Sequence, residues 1–171
     1  MKITAQEEYG LRCLLRLARA GEGQSLTIPE IAAAERLTAP HVAKLLSVLR
    51  QAGLIESVRG RSGGYHLARR PEDIRLGAVM RALGEPLFEE PAYCERHAPE
   101  PGGACVHNDS CTLRALWGTL EQWLRHVLDQ VTLADLLQSE GRITERLRAH
   151  FPADTLGPIA PLLTVGALAR G

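Results

Sequence analysis

Residues 27–65 read TIPEIAAAERLTAPHVAKLLSVLRQAGLIESVRGRSGGY, and their local chemistry predicts two helices across a tight turn, followed by a hairpin. Thr27-Ile28-Pro29-Glu30 is a capping box with proline in the first turn, opening a short helix that ends near Glu35. Thr38 is placed to cap a second helix running to Ala52, where Gly53 supplies the left-handed stop. Val42, Leu45, Leu46 and Leu49 recur at helical spacing and form its inner face. Residues 54–59 and 65–68 read as two short strands joined through Gly60-Arg61-Ser62-Gly63-Gly64.

Working upstream, residues 4–20 predict a helix with one stripe of Leu11, Leu14, Leu15 and Ala18. Tyr9, Cys13 and Leu17 form a second stripe nearly opposite, so contact with two bodies is expected. Downstream, a short helix is expected over 76–83. Residues 84–110 hold Gly, Pro, acids and cysteines without periodicity and read as a long loop; loops beyond ~12–15 residues are usually functional or disordered. The cleanest pattern follows in Leu113, Leu116, Trp117, Leu120, Leu124, Val127, Leu128 and Val131. These positions form a narrow stripe on a helix of about 21 residues, ~30 Å long. Thr132-Leu133-Ala134-Asp135 is a further capping box, and short helices are expected up to residue 150. Pro and Gly break up the tail, 151–171.

The expected fold is mainly α. It comprises a winged helix-turn-helix over 1–83 with a small β-hairpin wing, a cysteine-containing loop over 84–111, and a long dimerisation helix in 112–150. In such a motif the second helix of the turn enters the major groove. The inner stripe leaves Pro40, Lys44, Ser47 and Gln51 facing outward, with His41 and Val48 at the flanks and Thr38 at the start. Their polar members suit hydrogen bonds to phosphates and base edges. Arg59, Gly60 and Arg61 would add a wing contact, because glycine lets backbone approach a partner closely. A 30 Å apolar helix has no obvious cover on so small a domain, so a two-fold homodimer on a palindromic double-stranded operator is expected. Trp117 and Trp123 would be its large anchors.

The chain has 171 residues, 20 basic and 20 acidic side chains, and a formal net charge of zero. That neutrality conceals a division. Residues 1–75 carry 12 Lys/Arg against 8 Asp/Glu, and the remainder carries 8 against 12. A basic reader joined to an acidic partner half is consistent with nucleic-acid binding. No stretch approaches the ~18–20 apolar residues of a membrane span, and Glu7 and Glu8 stand where a signal peptide would be basic. A cytoplasmic, reducing location is therefore expected, with no membrane partner. There is no G-x-S-x-G elbow, no P-loop lysine and no H-E-x-x-H, and the glycines at 60–64 precede a strand rather than a helix. Catalysis is not expected.

Cys94, Cys105 and Cys111 give C-x10-C-x5-C. This is neither ferredoxin nor zinc-ribbon spacing, yet thiolates are what iron–sulfur clusters and zinc prefer. Thiol redox without a cluster is a third reading. His107 and His97 are nearby imidazoles. Cys13, on the apolar helix face, is expected to be a core thiol.

At these residues the chain resembles the Rrf-two family of bacterial winged-helix regulators, which includes the iron–sulfur assembly regulator and the nitric-oxide-sensing repressor. The resemblance spans roughly residues 1–140. It rests on Tyr9-Gly10-Leu11-Arg12, Val58-Arg59-Gly60-Arg61-Ser62-Gly63-Gly64-Tyr65, Ile74-Arg75-Leu76-Gly77 with Val79-Met80, the three spaced cysteines, and Thr132-Leu133-Ala134-Asp135-Leu136. It implies a homodimeric regulator whose long helix is the dimer interface. It also implies an iron–sulfur cluster, two-iron or four-iron, that senses redox, nitric oxide or iron–sulfur status. In the first branch a histidine three residues past the last cysteine completes the ligands; here that residue is Arg114. In the second an acid on the first helix of the other subunit does so, and Glu8 matches it. His107 and His97 are local alternatives, a site with no fourth protein ligand is another, and an ordinary ion pair with Arg12 is the other role open to Glu8. A zinc-binding or cluster-free thiol regulator is the rival reading of the whole.

Overall fold

Thr4 begins the first helix by reciprocal capping: its hydroxyl accepts from the Glu7 amide at 3.2 Å, and Glu7 accepts from the Thr4 amide at 2.7 Å. A computed structural model of the chain describes residues 3–60, 63–86, 88, 89, 92–97, 107 and 110–149. Helix α1 spans Ala5–Ala20 and buries Gly10, Cys13, Leu14 and Leu17. The two stripes read in the sequence thus merge into a single buried face, with Leu11 and Leu15 half-buried at its edge. Gly10 is needed there, since an added Cβ would lie 2.4 Å from the Leu83 side chain.

Helix α2, Ile28–Glu35, carries the expected capping box at Thr27 and Glu30. It ends in the left-handed Arg36, φ 54°, which turns the chain into α3, Ala39–Gln51. Thr38 has the extended backbone of a cap residue, but its hydroxyl makes no capping bond, contrary to expectation. At the far end Gly53 takes φ 67° and its amide bonds Arg50 O, while the Leu54 amide reaches Leu49 O. Strands β1, Ile55–Val58, and β2, Gly64–Leu67, pair antiparallel with Ile55 opposite Leu67 and Val58 opposite Gly64. Leu26 adds a bridge to Tyr65 in both directions, at 2.9 and 2.8 Å, stitching the segment before α2 to the wing.

Helix α4, Leu76–Leu83, closes this body. Leu14, Ile31, Leu46, Leu49, Val79 and Leu83 are among its core side chains, at 0–1% exposure. Each contributes about 1.5–3 kcal/mol by leaving water. Within the stretch expected to be irregular lies a short helix, α5, Ala92–Arg96.

The long helix α6 runs Thr112–Gln130. Val127 and Val131, expected in a dimer seam, are instead buried in their own protomer at 5% and 1% exposure. Beyond α6 the chain pairs back on the body: the Leu76 amide bonds Val131 O at 2.9 Å and the Leu133 amide bonds Ile74 O at 2.8 Å. Where α4 and α6 meet, Gly77 lies against the side chain of Asp129, which pairs with Arg81 at 3.2 Å. Thr132 and Asp135 form the anticipated reciprocal bonds before a 3-10 turn at Asp135–Leu137. Helix α7, Glu140–Arg148, is tied down by Arg146, which reaches Asp135 at 3.1 Å and Gln130 O at 3.3 Å. The tail at 151–171 lies outside the described residues. Among those described, no helix is long and apolar enough to cross a membrane.

Candidate DNA-reading face and cysteine segment

The inner stripe of α3 is wholly buried, which turns Thr38, Pro40, Lys44, Ser47 and Gln51 to solvent as the spacing requires. Arg50 is exposed as well. His41 differs: it is half-buried, its ring edge-on to Tyr9 of α1 with centroids 5.5 Å apart. Arg59 and Gly60 are exposed at the wing tip, where Gly60 takes φ 115° and its carbonyl accepts from the Gly63 amide at 2.9 Å. Only glycine adopts that backbone without strain. Arg61 lies outside the described residues.

An ion cluster missed in the sequence ties α1 to the end of α2, next to the turn into α3. Glu35, 8% exposed at the end of α2, accepts from Arg12 Nε at 2.9 Å and Arg16 Nε at 2.8 Å. Arg12 also donates to Glu35 O at 3.0 Å and lies over the Tyr9 ring. Burial alone would raise the Glu35 carboxyl, but the hydrogen bonds and charges of Arg16 and Arg12 outweigh it and hold its pKa below the usual range. The signal was present: an acid in the last turn of a helix opposes the macrodipole and calls for a cation. Arg12 and Arg16 stand one turn apart on α1 to supply two.

Arg12 is therefore engaged with Glu35 rather than Glu8. Glu8 is exposed on α1 and forms no ion pair among the described residues. Cys13 is fully buried in the core, where desolvation first, then the charge of Glu35, pushes its thiol up to about 11. A thiol so placed is a packing group.

Cys94 sits half-buried on α5. Cys111 is the N-cap residue of α6, its Sγ accepting from the Arg114 amide at 3.3 Å. Cys105 lies outside the described residues, and His107 is exposed. Among the described residues no three His, Cys, Asp or Glu side chains converge as a metal set. The donor chemistry nonetheless fits a thiolate-bound centre. His97 stacks on Tyr93 with centroids 4.4 Å apart, and its Nδ1 lies 2.8 Å from Tyr93 O. Tyr93 packs in turn on Phe88 at 4.9 Å. None of this order was visible in the spacing of 84–110.

The N-terminal half of α6 presents Leu113, Leu116, Leu120 and Trp123 at 40–56% exposure. Trp117, Leu124 and Leu128 are half-buried. The outward apolar face is thus narrower than the sequence stripe and shifted toward Trp123.

A helix-turn-helix clamped by Glu35, a glycine-turned wing and an outward polar recognition face define a winged-helix DNA-binding transcription regulator. Comparison with known proteins agrees. Residues 3–139 match the family model Rrf2, an iron-dependent transcriptional regulator. The HTH-type transcriptional regulator NsrR of Geobacillus kaustophilus is 40% identical over 149 residues, covering 86% of this chain and 97% of that protein. The structure is similar to IscR of T. potens, with TM-score 0.62 and 28% identity over 84% of this chain and 96% of that one. It is similar too to CymR, the global cysteine regulator of B. subtilis, with TM-score 0.60 and 31% identity over 80% and 95% of the two chains. The chain belongs to the Rrf2 family. These relatives are transcriptional regulators, and this chain is not an enzyme.

Proposed function

We propose that the chain is a homodimeric regulator whose cysteine segment, residues 84–111, holds an iron–sulfur cluster on Cys94, Cys105 and Cys111 and adjusts operator binding by the reader, residues 1–83. The observation that carries this reading is the position of Cys111 as the N-cap of α6, with its sulfur held by the Arg114 amide. The last cysteine of the segment is thereby the cap of the helix that would join two protomers. A bound cluster would supply a centre open to oxidants and nitric oxide.

The chain's own residues do the rest. Leu113, Leu116, Leu120 and Trp123 offer an apolar seam for a two-fold partner, continued by half-buried Trp117, Leu124 and Leu128. Leu113, two residues past Cys111, shares its helix start, so a change at the sulfur acts on the seam. At the other end, Val127 and Val131 anchor α6 to the reader. The seam accordingly sets the separation of two recognition helices, which must match half-sites ~34–36 Å apart. Thr38, Pro40, Lys44, Ser47 and Gln51 read the major groove; His41 positions the helix start; Arg59, Gly60 and Arg61 hold the backbone beside it.

Anaerobically purified protein is expected to be brown, with iron and sulfide in equal amounts, and to bind operator fragments with an affinity that changes when the cluster is removed. Colourless protein containing zinc, or equal affinity of both forms on every fragment selected by the protein, overturns the reading.

A further inference from the structure

We infer that Arg36 is a further DNA contact, donating its guanidinium to a backbone phosphate where the start of α3 enters the groove. This concerns the reader alone and is independent of the cluster reading above. Arg36 holds the left-handed backbone, φ 54° and ψ 42°, that turns α2 into α3. Among the described residues no other non-glycine has a positive φ. Side chains with a Cβ rarely adopt this region, and Gly or Asn is its usual occupant. The turn itself does not call for a guanidinium. The Arg36 and Leu37 amides both reach Ala32 O, the second at 3.0 Å, and backbone makes these bonds whatever the side chain. A long cation in place of glycine therefore adds strain to the turn and no bond within it, and strain of this kind collects at functional sites.

Its neighbours direct it outward. Glu35 before it is buried and paired with Arg12 and Arg16, and Leu37 after it packs against the core. Arg36 between them is exposed and makes no hydrogen bond or ion pair among the described residues. The surface around it is unopposed. From Ala33 to Gln51 the sequence holds no acid but Glu35, while Arg36, Lys44 and Arg50 are all exposed. Ala33, Ala34, Thr38, Ala39 and Pro40, exposed beside the turn, are small, so an approaching strand meets a cation and little bulk. In a helix-turn-helix the first residues of the recognition helix contact base edges while the preceding helix crosses the backbone. Arg36 is the joint between the two, two residues before Thr38. A planar guanidinium can hold a phosphate by two parallel N–H bonds. Such a contact fixes orientation on the duplex and carries no sequence information.

The test uses the full chain and two probes: a duplex that the wild-type protein selects from a random pool, and a scrambled duplex of the same length. Arg36→Gly and Arg36→Asn suit the left-handed turn without the cation, and Arg36→Lys keeps the charge. At about 0.1 M salt, R36G and R36N are expected to bind both duplexes about five- to tenfold more weakly, with the log–log salt slope reduced by about 0.9 per bound chain. R36K should keep the wild-type slope. Urea unfolding of R36G is expected to be no easier than that of wild type, which separates a lost contact from a lost fold. Wild-type affinity and slope in R36G overturn the inference. A loss confined to the selected duplex overturns it too, because that would mark a base contact. So does easier unfolding of both R36G and R36N, which would make the arginine a structural residue of the turn.

Discussion

The reader and the cysteine segment bury their chemistry in opposite ways. In the reader, apolar side chains reach 0–1% exposure, a buried acid has two guanidinium partners, and the one thiol is silent. In the segment and the first half of α6, Cys94 and Cys111 are half-buried and leucines stand 40–56% exposed. The first region is complete within one chain. The second leaves apolar groups open to solvent among the described residues. A regulator needs both: a rigid shape to present to DNA, and a marginal one that a signal can move.

Substitution of equivalent leucines is the sharpest way to break that contrast. Leu46→Ala, in the core, is expected to cost about 3–4 kcal/mol in urea unfolding. Leu120→Ala should instead act through association, lowering dimer content in sedimentation while leaving unfolding of the dilute protein within about 0.5 kcal/mol. Equal costs at the two positions would erase the distinction.

The Glu35 clamp comes next. Glu35→Gln is expected to cost about 2 kcal/mol, since it removes a charge from two arginine hydrogen bonds at a buried site. The folded carboxyl lies below its ordinary 4.5, so the clamp's contribution is present above pH 4.5 and lost as pH falls through the folded value. Acid titration of stability should therefore be steeper in wild type than in the glutamine variant. Parallel profiles would mean the clamp is electrostatically idle. A smaller effect is expected at the reading face. Arg59→Ala should weaken operator binding by about 1 kcal/mol and reduce the salt dependence by about one counterion. The smallest is at the joint, where Asp129→Asn breaks an exposed pair with Arg81 (46% and 42% exposed) and should change stability by under about 0.5 kcal/mol.

The same contrast governs what could be read from the sequence. Capping boxes at Thr27 and Thr132, the Val42–Leu49 stripe and the stop at Gly53 are local devices, so their spacing carried them directly to the structure. The Leu26–Tyr65 bridge joins residues far apart in sequence and leaves no periodic trace, while the Arg12–Arg16–Glu35 clamp shows in the sequence only as an acid and two cations whose pairing the spacing does not state. In α6, periodicity identified the helix but could not divide its stripe between its own protomer and a partner. Val127 and Val131 turn inward because the end of α6 packs on α4, with the Leu76 amide bonded to Val131 O, a fact of the tertiary fold. Helix α5 was hidden because five residues cannot display a helical period, and what holds His97 there is aromatic contact rather than pattern.

The bridge between Arg75 and Thr132 has a consequence for how such a protein can change over time. It fastens the residue before α4 to the residue just past α6, so the stretch between those two helices is a closed excursion from the packed body. Lengthening a closed excursion is cheap, about 0.6 kcal/mol for each doubling of a flexible loop. The ten residues between Cys94 and Cys105 can thus be gained, lost or rewritten with little penalty to the reader. One DNA-binding scaffold can in this way be fitted with successive sensors, each tried at almost no risk to the fold that must act on what it detects.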